Sequence, residues 1–500
     1  MSDIVLLALN ARWSHASFAL RCLKANLGAL QERCTMLERT IEDRPADVVE
    51  RLLDLNPRIV GLSVYIWNAE QMLAIARLLR ALRPDVVVCV GGPEVSHEID
   101  EQEITALAHH VIKGEGEVAF AALCEHVLRE KPGLALLPSK IIEGGSPELS
   151  SLPSPYRLYD EVDLRDRVVY VEASRGCPFT CEFCLSSLDE KVRSFPLEAF
   201  LHEMQLLLDR GLRTFKFIDR TFNLKMETTE RIIQFFLDRM QPGLFVHFEM
   251  VPDRLPDSLR ALLARFPPGS VQLEVGIQTF DVDVGVRIRR KQDVLKLEDN
   301  LRFLRRETGV HIHADLIVGL PGEDLASFGC GFDRLLALDP HEIQIGILKR
   351  LRGAPIARHT DEHAMVYSGA PPYEVLQTSA LSFTDVQRMK RFARFYDVVK
   401  NSGRFPQTST LLLSGPSGFA AFLTFSDWLF AQTATRHGIA LPRLAELLGR
   451  YLQEQRGVDV DVVSAGLLAD LGPDRMPSSS RAPRVKPVKG VPARQQRHLA

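Results

Sequence analysis

The stretch Arg175-Gly176-Cys177-Pro178-Phe179-Thr180-Cys181-Glu182-Phe183-Cys184 sets three cysteines at the spacing Cys-x3-Cys-x2-Cys, directly after an apolar run that reads as a strand. The chain has only eight cysteines in 500 residues, so three in one loop are concentrated. In a reducing compartment a tight cysteine cluster points to metal ligation before disulfide formation. Three thiolates on one loop can hold three irons of a [4Fe-4S] cluster, whereas an electron-transfer cluster takes a fourth cysteine, and none lies nearby. The fourth iron is then open to a substrate or cofactor, as an open coordination position marks a catalytic metal site. Two other readings remain. Zinc would need a fourth ligand, and the nearest histidine, His202, falls in a helical pattern; three cysteines could also be buried together by chance.

Outward from this loop, apolar runs recur at Val168–Ala173, Thr214–Ile218, Phe245–Val251, Val271–Ile277, Ile312–Leu320 and Ile343–Leu348, with helical patterns at 197–210, 227–240 and 294–307 between them. That is six β-α units, where a closed barrel has eight. Upstream, the runs Ile4–Leu9, Thr35–Ile41, Ile59–Tyr65, Val86–Val90 and Val111–Lys113 alternate with helical patterns near 16–31, 45–54, 68–82, 97–108 and 117–129, giving five more units. Parallel strands need crossover helices, so the expected fold is a doubly wound α/β sheet with its ligand crevice at the C-terminal strand ends. Those ends read Asn10–His15, Ser63–Trp67, Gly91-Gly92-Pro93-Glu94 and Gly114-Glu115-Gly116-Glu117, and glycines there let backbone approach a bulky ligand closely.

The expected organisation is an α/β domain over 1–135, a Pro/Gly/Ser-punctuated linker over 136–165, a partial barrel over 166–350, an α-rich appendage over 351–472 and a disordered basic tail over 473–500. Helices are expected at 373–402, 417–436 and 441–456. The tail holds five prolines and seven Lys/Arg against one acid, a composition that cannot bury enough apolar surface to fold. The whole chain carries a net charge of −3, with 46% hydrophobic and 25% charged residues. Those are globular values, and the near-neutral charge argues against a general nucleic-acid binder. No uncharged apolar run is long enough for a membrane helix, and the N-terminus carries no cleavable leader pattern. The expectation is a cytoplasmic protein.

The cysteine motif, with the aromatic Phe183 before its last cysteine, resembles the signature of the radical S-adenosylmethionine (SAM) superfamily. That resemblance implies a partial (β/α)6 barrel and a SAM molecule chelating the open iron through its amine and carboxylate. It also implies one-electron cleavage to methionine and a 5′-deoxyadenosyl radical, and an electron donor such as flavodoxin or ferredoxin. For SAM it implies Phe183 and strand-end residues. Asp219 would meet the amine, unless it is a helix cap or pairs with Arg220. Glu249 would meet the ribose or amine. Glu274 and Gln278 belong to a segment resembling the superfamily's Glu-x-Gly-x-Gln. Arg289, followed by Arg290 and Lys291, would meet the carboxylate, unless the run is a solvated face. Gly319 and Pro321 belong to a Gly-Leu-Pro-Gly turn that would pass the adenine, unless it is an ordinary tight turn.

The first domain joined to this barrel resembles the cobalamin-binding-domain radical SAM family, in a subfamily ending with a domain of unknown function. The resemblance implies a corrin over Asn10, Trp13, His15, Ser63, Gly91, Gly92, Gly114 and Glu115. The chain departs from one pattern: the Asp-x-His-x-x-Gly motif that replaces the lower axial base of cobalamin is absent, and the loop reads Asn10-Ala11-Arg12-Trp13-Ser14-His15-Ala16-Ser17. Cobalamin would bind without a histidine ligand, or the domain keeps its fold without the cofactor; His15 would ligate cobalt or make a loop contact. The expected activity is methylation of an unactivated carbon in a small molecule. The alternatives are a radical rearrangement or cyclisation without methyl transfer, and a cluster or corrin sensor. The other five cysteines, Cys22, Cys34, Cys89, Cys124 and Cys330, are dispersed, which argues against a second cluster.

Overall fold

Strand β1 (Ile4–Asn10) is apolar at six of its seven positions and buried at all of them, the pattern of a strand covered on both faces. In the computed structural model, which describes residues 2–129, 139–472 and 493–498, it lies between β2 (Cys34–Thr40) and β3 (Ile59–Ser63). Strands β4 (Val87–Gly91), β5 (His110–Lys113) and β6 (Ile141–Glu143) extend the parallel sheet in the order β2-β1-β3-β4-β5-β6. Alternate residues of β1 serve opposite cores. Val5, Leu7 and Leu9 pack with the helices Pro45–Asp54 and Ala69–Leu82, while Ile4, Leu6 and Ala8 pack with Phe18–Ala25 and Glu117–Leu128. The sheet is doubly wound, as expected.

The span expected as linker is more ordered than its punctuation suggests. Its first residues, 136–138, lie outside the described residues. Beyond them, β6 pairs with β5, a capped helix covers Glu161–Asp166, and Tyr156 and Tyr159 are buried. A three-residue strand ending at Gly144-Gly145 is too short to show a period, so sequence reading missed the sixth strand.

The second sheet contains β7 (Val169–Val171), β10 (Thr214–Phe217), β11 (Phe245–Met250), β12 (Val271–Gln278), β13 (His311–Val318) and β14 (Glu342–Ile347). It is an all-parallel open arc in the order β14-β13-β12-β11-β10-β7. Between β7 and β10, the short antiparallel pair β8 (Ser174–Arg175) and β9 (Arg193–Ser194) closes the base of the cysteine loop. Period-two alternation splits the arc. Phe215, Phe217, Phe248, Leu273, Val275, Ala314 and Leu316 join one large core with the surrounding helices, so Lys216, His247, Glu249, Glu274, Gln278, His313, Asp315 and Gln344 face the inner wall. Register places Glu249, Glu274, His313 and Glu342 in one layer across four strands.

The C-terminal region shares the barrel's core: Phe332 packs against Phe392, Tyr396 and Phe419. The helix expected at 373–402 begins later. Val375–Gln377 pairs with Val366–Tyr367 as a ribbon, and Ser382 caps a helix over Phe383–Tyr396 that continues as a wider turn to Asn401. Helices follow at Gly418–Thr433 and Leu441–Glu454, and two unforeseen ones at Pro406–Leu413 and Val460–Leu471. Of the tail expected to be disordered, 473–492 lie outside the described residues. Near its end Arg494 Nε meets Glu342 Oε2 at 2.7 Å and Nη2 meets Asp397 Oδ1 at 2.8 Å. Among the described residues no helix is long and apolar enough to cross a membrane.

Candidate active site

The cysteine loop is shaped by its first glycine. Gly176 has φ +92°, and a Cβ there would collide with the Lys191 carbonyl oxygen, while Cys177 N donates to Asp189 O at 2.9 Å. Cys177 and Cys181 are buried and Cys184 half-buried. Among the described residues the trio of metal-binding side chains close enough to share a single ion is His359, Glu362 and His363, not the cysteines. His202 is no fourth ligand; it lies on the helix Leu197–Asp209 beside a small cavity shared with Phe18 and Tyr156.

Between the last two cysteines, the fully buried Glu182 anchors the loop. It meets Arg289 Nε at 3.0 Å, Arg358 Nη2 at 2.7 Å and His359 Nε2 at 2.6 Å. Arg289, expected at the SAM carboxylate, is thus engaged elsewhere; its φ of 54° turns the chain so that the next residue points inward. Arg290 donates to Cys181 Sγ at 3.7 Å and to the Gly276 carbonyl. Of the run Arg289-Arg290-Lys291, Arg290 is the member that reaches the cysteine loop, while Arg289 pairs with Glu182.

The strand ends divide likewise. Asp219 accepts from Ala173 N at 3.0 Å and Ser174 Oγ at 2.6 Å, with its carboxyl pushed up to about 6 by burial. These two contacts brace the strand leading into the cysteine loop and occupy both of the Asp219 carboxylate oxygens. Glu249 pairs with Arg220 at 3.1 Å, and burial raises its pKa. Glu274 lies 3.1 Å from His247 Nε2; burial opposes its charge, but His247, His313 and Lys216 outweigh burial and hold it near 2. Gln278 has φ 73° beside a bulge between β12 and β13. Its amide folds back over Gly276, where a Cβ would displace it. The Gly-Leu-Pro-Gly turn packs elsewhere: a Cβ on Gly319 would stand 2.5 Å from Val375 Cγ1, and Pro321 O accepts from Arg287 Nη1 at 2.7 Å. Its backbone lines neither large cavity.

A cavity of about 810 Å³ separates the strand ends of the first sheet from the cysteine loop. Ser63, Gly91, Gly92, Gly114 and Glu115 line one wall, with a stacked Tyr65–Trp67 pair (ring centroids 4.3 Å apart); Phe183, Cys184 and Leu351 line the other. Gly92 has φ +115°, and a Cβ there would collide with Val64 O, so the wall there has to be bare backbone. Glu115 turns from the cavity to Arg175, at 2.8 Å, and to Arg193; Glu117 and Glu172 join Arg175 at 2.8 and 2.6 Å. Burial pushes Glu172 up to about 7. This ion cluster ties the first domain to the residue two before Cys177.

Asn10, Trp13 and His15 do not line that cavity. Asn10 Nδ2 donates to His15 O and Glu38 Oε2, each at 2.8 Å, His15 Nδ1 lies 2.5 Å from the Tyr170 hydroxyl, and Trp13 sits beneath Arg167. They form the seam between the two sheets, where His15 bridges to Val168.

A second cavity, of about 770 Å³, opens between β13, β14 and the C-terminal helices. Gln278, His313, Asp315 and Gln344 supply its barrel side, and Lys390, Arg394 and Arg436 its helical side. Phe183 and Leu351 line both cavities. No motif in 351–472 announced this contribution, because cations on amphipathic helices read as ordinary solvated faces.

Three family models match the chain: the B12 binding domain over 4–124, the radical SAM superfamily over 171–329, and a protein of unknown function, DUF4080, over 361–471. The chain is similar to the "Cobalamin-dependent radical SAM methyltransferase TokK" of Streptomyces tokunonensis, at 28% identity over 59% of this chain and 47% of that one. It is also similar to the 2-(S-pantetheinyl)-carbapenam-3-carboxylate methyltransferase of Streptantibioticus cattleyicolor, at 26% identity over 60% and 48%. The chain spans about half the length of these curated relatives. Its fold resembles that of TsrM from Kitasatospora setae, solved with cobalamin and a [4Fe-4S] cluster (TM-score 0.58, 18% identity, covering 76% of this chain and 82% of that one). It also resembles OxsB, solved with aqua-cobalamin and SAM (TM-score 0.59, 12% identity, 94% and 84%).

Proposed function

We propose that this chain, a radical SAM enzyme with an N-terminal B12-binding domain, methylates an unactivated carbon of a small molecule in a cobalamin-dependent reaction. One observation supports this above the others: the two large cavities meet at Phe183 and Leu351, beside Cys184. A corrin in the first and a substrate in the second would face each other across the cysteine loop. When bound, the [4Fe-4S] cluster with SAM supplies a radical able to take hydrogen from an unactivated carbon, and cobalamin supplies the methyl group.

The residues fit these groups. Cys177, Cys181 and Cys184 would hold the cluster, leaving one iron to SAM, and Arg290 keeps a positive charge at Cys181 Sγ. Gln278, Glu274 and the Arg220–Glu249 pair stand at the strand ends where the polar groups of SAM would lie. Ser63, Gly91, Gly92 and Gly114 would carry the corrin on bare backbone and a small hydroxyl. Phe183, Ile345, Leu348 and Leu351 give the contact zone apolar walls, which exclude water from a reactive carbon centre. The electron donor would be a flavodoxin or ferredoxin, and the compartment the cytoplasm.

Anaerobically reconstituted protein, supplied with cobalamin, SAM, reductant and a methyl-accepting small molecule, is expected to form 5′-deoxyadenosine and S-adenosylhomocysteine. The triple variant Cys177→Ala/Cys181→Ala/Cys184→Ala is expected to lose the cluster's visible absorption and both products. A variant that still makes 5′-deoxyadenosine would overturn the assignment of the cysteines. With a methyl-accepting substrate supplied, wild type that makes 5′-deoxyadenosine without S-adenosylhomocysteine would replace methylation by a rearrangement.

A further inference from the structure

The second cavity has an uneven charge balance. Five cations line it, Lys349, Lys390, Arg394, Arg436 and Arg494, against three carboxylates, Asp315, Glu374 and Asp397. Every carboxylate already has a partner: Glu374 meets Lys390 at 2.7 Å, Asp397 meets Arg394 at 3.2 Å and Arg494 at 2.8 Å, and Asp315 meets His313 at 3.3 Å. Lys349 and Arg436 have no carboxylate partner among the described residues. Among the described residues the Arg436 side chain makes one polar contact, from Nε to His437 Nε2 at 3.1 Å, which leaves its terminal nitrogens to other acceptors.

Placement gives this surplus a direction. At the near end of β14, Asn401 fills the strand's open edge, donating to Ile343 O at 2.8 Å and accepting from Ile343 N at 3.0 Å. Beyond that plug, the cleft opens between residues 344–349 and the helix Phe383–Tyr396. Phe183 and Gln278 lie on the barrel side of this cleft, and Arg436 belongs to the C-terminal helical region. Lys349 and Arg436 are exposed at the rim of this cavity, and two like charges without carboxylate partners there set up a positive field that attracts an anion toward the apolar Ile345, Ile347 and Leu351.

We infer, resting on the enzyme reading above, that this cavity binds an anionic substrate through a carboxylate or phosphate group held by Lys349 and Arg436, with its carbon skeleton directed toward Phe183. The role of the C-terminal region is then to supply the anion-binding wall of the substrate site. A neutral or cationic substrate would gain nothing from these two cations and would find the three carboxylates already paired.

The test uses the full-length, cluster-loaded chain and two probes, inorganic phosphate and succinate, each titrated calorimetrically at fixed ionic strength. Saturable binding of at least one probe is expected, weakened about tenfold or more in Lys349→Met/Arg436→Met, since charge-assisted contacts are the strong ones. Which probe binds separates a phosphate from a carboxylate. Single variants Lys349→Gln and Arg436→Gln, each expected to weaken binding in part, carry the test if the double variant misfolds. Failure of both probes to saturate wild type, or equal binding by the variants, would overturn the inference. The titration needs no turnover. Absence of 5′-deoxyadenosine from wild type would therefore strike the enzyme reading alone, and absence of anion binding this one alone.

Discussion

The two parallel sheets solve opposite problems with the same strand grammar. In the first, β1 is buried along its whole length with apolar residues on both faces, so chemistry is confined to the strand ends, where Gly91, Gly92 and Gly114 leave backbone bare. In the second, one face of each strand is apolar and the other carries Lys216, His247, Glu249, Glu274, His313 and Asp315. Buried charge is costly unless it is paired, and much of that wall is paired: His247 with Glu274, His313 with Asp315, His311 with Glu342 at 3.1 Å. A dry sheet can only present a rim, whereas a half-ionic arc can present a surface.

The comparison breaks most readily at its dry end. Leu7→Ala, in the middle of β1, removes a fully buried side chain and is expected to lower stability by about 2–5 kcal/mol. Gln344→Ala, on the exposed inner edge of β14, is expected to stay within about 0.5 kcal/mol of wild type. Urea denaturation of both variants checks the pair. Equal losses would mean that the inner wall is packed as a core, and the distinction between the sheets would fail.

A second effect comes from a buried acid of the arc. Glu323 accepts from Thr279 Oγ1 at 2.5 Å, and burial pushes its carboxyl up to about 7. Between about 4.5 and 7 the folded chain keeps a proton that the unfolded chain has released, so this group's contribution to stability falls as pH rises through that window, by at most about 3 kcal/mol in total. Glu323→Gln is expected to flatten the dependence of the unfolding midpoint between pH 5 and 7.5. An unchanged slope would show that Glu323 ionises normally.

The same contrast explains what the sequence disclosed. Continuous apolar runs revealed the first sheet, and period-two alternation between apolar and polar residues revealed the arc, because each pattern follows from how many faces are buried. The cysteine spacing was readable because its chemistry is local. Side-chain direction was not: whether Arg289 or Arg290 turns inward depends on one positive φ, and Asp219 was drawn away by two donors at 173 and 174 that only the fold brings near it. The strand Ile141–Glu143 and the ribbon at Val375–Gln377 were too short to show a period. The second cavity was invisible because its cations come from segments far apart in the chain.

Arg290 offers a smaller, sharper probe of the ionic surface. Its contact with Cys181 Sγ brings a positive charge to a ligand atom, and hydrogen bonds to cluster sulfurs help set the reduction potential. Arg290→Gln removes the charge that favours the reduced, more negative state, so the potential is expected to fall by some tens of millivolts in a redox titration followed by electron paramagnetic resonance. No fall would mean that the guanidinium serves only Gly276 O. A rise would reverse the electrostatic argument.

The smallest effect is expected at the seam between the sheets. His15 sits on the loop after β1, where a cobalt ligand would be sought first, yet its Nδ1 lies against the Tyr170 hydroxyl. Burial, helped by the charges of Lys216, Arg12 and Arg167, keeps its pKa below the usual histidine range. A histidine whose place is fixed by a bridge to Val168 and which lies outside the cavity lining is part of the scaffold. His15→Phe should therefore cost about 1 kcal/mol for the lost hydrogen bond while changing cobalamin retention by less than about twofold, a difference too small to signal a lost ligand. The cob(II)alamin paramagnetic resonance spectrum gives the decisive reading. Wild type and variant are expected to share one spectrum without nitrogen splitting from a protein histidine. A splitting present in wild type and lost in the variant would put His15 on cobalt, and would mean that the first sheet uses a side chain as well as bare backbone at its rim.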